Sequence, residues 1–192
     1  MGLVVATTVG LVVWIVLWAI GAKAFDAFLV TGLVLVLARG TEAFARDLAA
    51  AAISGLIVPD LPVEEAPAVL AACDASGVAL VPLVAPTTSE DRLALIGGRA
   101  RGFLYTVPVT GTTGERRTLE GLGAAVARAR THADVPVAVG FGISTPEQAS
   151  SAADAGADGV IIGTRLVRAA GEADDPPAAV ASLVAEFAAS LR

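Results

Sequence analysis

Val135-Pro136-Val137-Ala138-Val139-Gly140-Phe141-Gly142-Ile143-Ser144-Thr145-Pro146-Glu147-Gln148 is the stretch that settles the fold class. Val135 to Val139 is short and almost wholly apolar. It reads as a strand buried on both faces, because a half-exposed strand would alternate apolar with polar. A glycine-rich turn follows. Thr145 then stands where a helix N-cap stands, and Pro146 suits the first helical position. Strand, glycine turn and capped helix make one βα unit of a parallel sheet.

Working outward, the same unit recurs. Other short apolar runs are Gly55 to Val58, Val78 to Val84, Gly102 to Val107 and Asp158 to Ile162. Between and around them lie Ala-rich amphipathic stretches: Thr41 to Ala52, Val63 to Ala75, Ser89 to Gly98, Leu119 to His132, Pro146 to Ala155 and Pro177 to Leu191. All read as helices. Thr41 and Ser89 are further candidate caps. Gly77 and Gly156 stand at the positions of helix C-caps. The period suits a βα barrel as well as a doubly wound sheet. A complete eight-unit barrel takes about 250 residues. Residues 41–192 supply five units, so the expectation is a partial TIM-type (βα) barrel with about five parallel strands. Such a barrel has an open edge that a partner, a second copy or the apolar N-terminus must cover.

Composition removes several function classes. Of the 192 residues, 55% are hydrophobic and 17% charged, the reverse of a disordered chain. Aromatics are 5%, too few for a single-strand stacking platform. A net charge of −6 speaks against binding a phosphate backbone, so no nucleic-acid partner is expected. One cysteine, Cys73, excludes an internal disulfide and a zinc cage. It falls on an expected helix and reads as inert core. One histidine, His132, leaves no metal cluster and little basis for a Ser/His/Asp triad. It ends a helix, where it suits a charge–dipole or capping role.

The N-terminus is different in kind. Residues 1–40 carry only Lys23, Asp26 and Arg39 as charges, a net of +1, against −7 for residues 41–192. Gly2 to Ala22 is uncharged, long enough as a helix for the roughly 30 Å hydrocarbon core of a bilayer. Trp14 and Trp18 lie toward its end, as in an interfacial belt. Ala27 to Ala38 is too short to span alone. Length and apolarity favour one or two transmembrane helices within residues 2–38. A cleaved signal, with Ala22-Lys23-Ala24 as its site, lacks a basic leader. A buried core segment would need a polar face that this stretch does not have. Arg39 and Arg46 after the apolar runs favour a cytoplasmic barrel anchored to the membrane. The expected domains are therefore 1–40 and 41–192.

The chemistry is read from the glycines. Barrel sites lie at the C-terminal ends of the strands, often with a phosphate over the last two loops. Here those loops are Gly140-Phe141-Gly142-Ile143-Ser144 and Gly163-Thr164. Glycine lets backbone approach an anion closely. Tight βα turns with no ligand are the simpler alternative. A third loop, Pro108-Val109-Thr110-Gly111-Thr112-Thr113-Gly114-Glu115-Arg116-Arg117, is long for a βα connection and suits a lid. Gly114 can offer an N–H to the same phosphate. Arg116 and Arg117 read best as a solvated pair beginning the next helix.

Taken together, Ile57-Val58-Pro59-Asp60-Leu61-Pro62, Leu83-Val84-Ala85-Pro86-Thr87-Thr88, Val109-Thr110-Gly111-Thr112-Thr113-Gly114 and Val139 to Gln148 resemble the tryptophan synthase α subunit in motif, order and spacing. The resemblance covers about residues 41–192, the C-terminal three-fifths of the family barrel. It implies cleavage of indole-3-glycerol phosphate to indole and glyceraldehyde 3-phosphate. Indole then passes to a β subunit that carries PLP; the α-type chain itself takes no cofactor and no metal. On matching positions, Gly114, Gly142, Gly163 and Thr164 would hold the phosphate. Tyr105, Leu83, Val107 and Phe141 would line the indole pocket, and Thr113 would close over the site. Asp60 to Pro62 and the lid loop would face the β subunit.

The resemblance also implies a deficit. The reaction needs one carboxylic group to protonate indole C3 and another to take a hydroxyl proton. In the family these lie on the second strand and the following loop, before the resemblance begins. Asp60 is the one carboxylate at the C-terminal end of an expected strand, and a turn or subunit-contact role suits it better than catalysis. Three readings stay open: an impaired α-type lyase, a non-catalytic membrane-tethered module that binds a phosphorylated ligand or a β subunit, and a mis-joined gene product.

Overall fold

The computed structural model describes residues 40–107, 121–140 and 142–191. Among them, 40–56 with 64–80 form one compact unit, and 57–63 with 81–191 form a second.

The first unit holds α1 (Thr41–Ala50) and α2 (Pro67–Ser76) with the bulk of a two-stranded sheet, β1 (Gly55–Ile57) and β2 (Ala79–Val81). Gly40 rather than Thr41 takes the cap position of α1; Thr41 is the first helical residue. Gly77 ends α2 with φ 71°, a left-handed conformation that costs other residues energy. Cys73 is 1% exposed on α2, and burial pushes its thiol pKa up. A raised pKa keeps the thiol protonated, in line with a core role.

The second unit is built on a four-stranded parallel sheet in the order β3 (Leu83–Val84), β4 (Leu104–Thr106), β5 (Val137–Gly140), β6 (Gly159–Ile161). Leu83 pairs with Tyr105, Tyr105 with Ala138, and Ala138 with Gly159. Between the strands run α3 (Glu90–Gly97), α4 (Leu122–His132) and α5 (Pro146–Asp154). After β6 come α6 (Thr164–Glu172) and α7 (Pro176–Ser190). The five expected strand runs thus become six strands. The run Val78 to Val84 is split at Pro82, which has no N–H to give a ladder. Its carbonyl still accepts from the Tyr105 N–H at 3.0 Å.

Alternation gives the sheet two faces. Val84, Leu104, Val137 and Val139 face the helices. They pack with Leu93 and Ile96 of α3, Leu122, Val126 and Ala129 of α4, Ala149 and Ala152 of α5, and Leu183 and Phe187 of α7. Each large side chain so buried contributes about 1.5–3 kcal/mol. Leu83, Tyr105, Ala138, Gly140 and Ile161 take the opposite face.

Two polar devices fix the start of α5 and the register of β5 with β6. Thr145 accepts from the Gln148 N–H at 3.3 Å, and Gln148 Oε1 reaches back to the Thr145 N–H at 3.1 Å, closing a capping box on α5. Asp158, just before β6, accepts from the Val137 N–H at 2.8 Å and from Arg130 at 2.9 Å. The Val137 N–H, then Arg130, hold its carboxyl below the ordinary carboxylate range. The Glu90 carboxyl is likewise held low, by Arg128 and then His132. Groups with lowered folded pKa values stabilise the fold above their unfolded pKa and lose that effect as pH falls through the folded value. The urea midpoint should therefore be flat near neutral pH and drop as pH falls below about 4. Asp158→Asn should shallow that drop; an unchanged acid slope in the variant would count against the assignment.

Among the described residues no helix is long and apolar enough to cross a membrane. The expected transmembrane stretch, residues 2–38, lies outside the described residues.

Candidate functional site

The C-terminal ends of β3 to β6 carry the glycine- and threonine-rich turns. Gly142 has φ 84°, a conformation glycine adopts without strain. Ser144 follows, and its N–H donates to Gln148 Oε1 at 2.8 Å. Gln148 therefore both closes the α5 N-terminus and fixes the turn above β5.

Gly163 caps α6, a helix absent from the sequence-based expectation, which passed from the Gly163-Thr164 turn to the helix Pro177 to Leu191. No side chain caps this helix, and Gly163 and Thr164 are exposed. The Gly163 carbonyl accepts from the N–H groups of Leu166 and Val167 at 3.0 and 3.1 Å. The N–H groups of the first turn precede these bonds, and at a helix N-terminus such groups attract an anion. A Cβ built on Gly163 meets nothing within 4 Å. By contrast, α5 is closed by Gln148 and α7 by Asp175, which accepts from the Ala178 N–H at 3.2 Å.

Gly140 plays a different part from the one expected. A Cβ there would collide with the Tyr105 ring and hydroxyl. Gly140 makes room for Tyr105, not for an anion. Tyr105 is 8% exposed, tilted at 52° to Phe103, and burial raises its phenol pKa. Leu83 and Val107, half-buried, share its face by alternation and register. Of the expected site residues, the structure brings Leu83, Tyr105 and Val107 to one face and Gly142, Gly163 and Thr164 to the adjoining strand ends. Thr113, Gly114, Phe141 and the lid loop lie outside the described residues. Asp60 is exposed on a turn closed by the Leu61 N–H and the Val58 carbonyl at 3.3 Å.

Sequence reasoning missed one cluster. Glu90, first residue of α3, pairs with Arg128 Nε at 2.6 Å and with His132 Nε2 at 2.8 Å. Arg128 also donates to the carbonyls of Pro86 and Thr88 at 3.0 and 2.7 Å. The available signal was the Arg128/His132 spacing of four on α4, which sets both on one helix face. Among the described residues no cluster could hold a metal ion.

The family model described as Tryptophan synthase alpha chain matches residues 22–191, reaching back into the apolar stretch. The chain is 50% identical over 135 residues to the tryptophan synthase alpha chain of Gloeobacter violaceus, covering 70% of this chain and 49% of that one. To the Methanosarcina mazei alpha chain it is 45% identical, covering 79% and 56%. Among solved structures, Mycobacterium tuberculosis tryptophan synthase matches with TM-score 0.73 and 38% identity over 88% of this chain and 66% of that chain. A mutant alpha-subunit from Pyrococcus furiosus matches with TM-score 0.70 and 32% identity over 80% and 62%. The chain spans about half the length of the curated relatives it matches. Family match, motif order and parallel βα architecture agree, and the chain belongs to the tryptophan synthase alpha chain family.

Proposed function

We propose that this chain is a tryptophan synthase α-type lyase scaffold. It binds indole-3-glycerol phosphate, with turnover to indole and glyceraldehyde 3-phosphate impaired. The observation that carries this reading is the uncapped, exposed N-terminus of α6 at Gly163-Thr164 beside the Gly142 turn. Both stand at strand ends next to the face that carries Tyr105. The phosphate sits on the Gly142, Gly163 and Thr164 backbone, joined by Gly114. The indole ring lies against Tyr105, Leu83, Val107 and Phe141, under Thr113. The described face is apolar apart from the phenol, which suits an aromatic ring.

Asp60 to Pro62 and the lid loop form the contact with a β subunit. One of the solved structures similar to this chain is the tryptophan synthase α2β2 complex of Pyrococcus furiosus, which supports that partner class. PLP belongs to that partner. The family match from residue 22 supports reading Ala27 to Ala38 as family chain rather than as a second membrane span. Residues 2–21 keep the membrane reading on length and apolarity alone.

Gly163→Asp tests the phosphate site. The position is open and its φ of −110° suits any residue, so the fold should hold. A carboxylate there should weaken binding of indole-3-glycerol phosphate about 10²-fold in calorimetric titration, by like-charge repulsion. Undiminished binding would place the phosphate elsewhere. The second reading, a module that binds without turnover, shares the geometry and differs only in rate.

A further inference from the structure

We infer that Arg128 is a positioning residue for the indole end of the site, an inference that rests on the proposed function. The turn after β3 leads directly from the expected pocket residue Leu83. Its own bonds are local: Thr88 N–H to the Ala85 carbonyl at 2.9 Å, and Ala85 N–H to Thr88 Oγ1 at 3.0 Å. Those bonds shape the turn from within. Among the described residues Arg128 ties it to α4. Its Nη1 donates to the Pro86 carbonyl and its Nη2 to the Thr88 carbonyl, while Nε donates to Glu90. All three guanidinium nitrogens are committed, two to the turn and one to the helix that the turn begins.

Glu90 is held in turn by His132, one helical turn beyond Arg128. The cluster thus locks α3, α4 and the turn 85–88 into one arrangement. A planar, permanently charged fork can bridge two carbonyls and a carboxylate at once; a lysine ammonium cannot match that geometry. Leu83 pairs with Tyr105 across the sheet, so a shift of the turn moves the wall next to the ring. The Gly142 and Gly163-Thr164 turns follow β5 and β6, away from β3, and the Arg128 bonds to Pro86, Thr88 and Glu90 reach neither.

The two ends of the ligand are therefore separable by experiment. The purified full chain is titrated calorimetrically with indole-3-glycerol phosphate and with glycerol 3-phosphate, which has the phosphate but no ring. Wild type should bind both. Arg128→Ala should bind the indole ligand about tenfold more weakly, the worth of one charge-assisted hydrogen bond, and glycerol 3-phosphate unchanged. Arg128→Lys should lose nearly as much, because charge alone does not restore the fork. Equal losses for both ligands, or none for either, in a variant with wild-type circular dichroism would overturn the inference. If Arg128→Ala fails to fold, Arg128→Lys and Glu90→Gln carry the same comparison. Failure of wild type to bind either ligand would instead sink the proposed function, and this inference with it.

Discussion

Gly97→Ala is expected to lower the unfolding free energy by about 3 kcal/mol, the upper range for overpacking a filled site. Gly97 is the last residue of α3 and is buried. A Cβ there would collide with the His132 carbonyl oxygen, and would lie 2.7 Å from its carbon and 3.3 Å from the Ala133 nitrogen. These are backbone atoms at the end of α4, so no rotamer change can relieve the contact. The helices must part. His132 then moves from Glu90, to which it is bonded at 2.8 Å, and Arg128 on the same helix moves with it. For a domain stable by about 5–15 kcal/mol this is a large fraction. Gly123→Ala on α4 is the matched control. Nothing lies within 4 Å of its Cβ, and alanine in a helix gains about 0.5–1 kcal/mol over glycine. Urea midpoints should move in opposite directions for the two variants. A Gly97→Ala midpoint equal to wild type would mean the helices are less closely apposed than described.

The βα architecture was legible because its signals are local. Each apolar run flanked by glycine or a cap marks a strand, and five of them align with observed strands. The departures have local causes as well. Pro82 divides one run. Helix α6 went unread because Arg165-Leu166-Val167-Arg168 follows a glycine turn with no capping side chain, and an uncapped start leaves no mark. Which face a strand residue takes was not legible. Val137 to Gly140 is buried throughout, so alternation in sequence disappears. Register sets Tyr105 opposite Ala138; only the packing of its ring over Gly140 shows why position 140 is glycine. The Glu90–Arg128–His132 cluster joins residues 38 and 42 positions apart. Nothing local in sequence specifies such a contact. The motif set, by contrast, was visible because its residues are contiguous within each turn.

Indole release from indole-3-glycerol phosphate by these 192 residues should run below about 10⁻⁴ of the rate of a full-length relative such as the Methanosarcina mazei alpha chain. Loss of one general acid or base typically costs about 10²–10⁴ in rate. Two such losses do not simply multiply, since the groups act on one transition state. The described residues offer no replacement. On the inner face Tyr105 is the one described strand residue with a titratable side chain, and burial raises its pKa. A phenol neutral at pH 7 can donate a hydrogen bond but cannot take the glycerol hydroxyl proton. Asp60 is exposed on its turn, where water screens its charge, so in the absence of a β subunit Asp60→Asn should leave any residual rate unchanged. A coupled assay with and without a β subunit measures both quantities. Release within about 10²-fold of the relative, abolished by Asp60→Asn, would mean that one carboxylate had taken over the proton transfer. A low rate with intact ligand binding would separate the two capacities of the fold: the strand ends would then hold the ligand, and proton transfer would have to come from residues outside the described sheet.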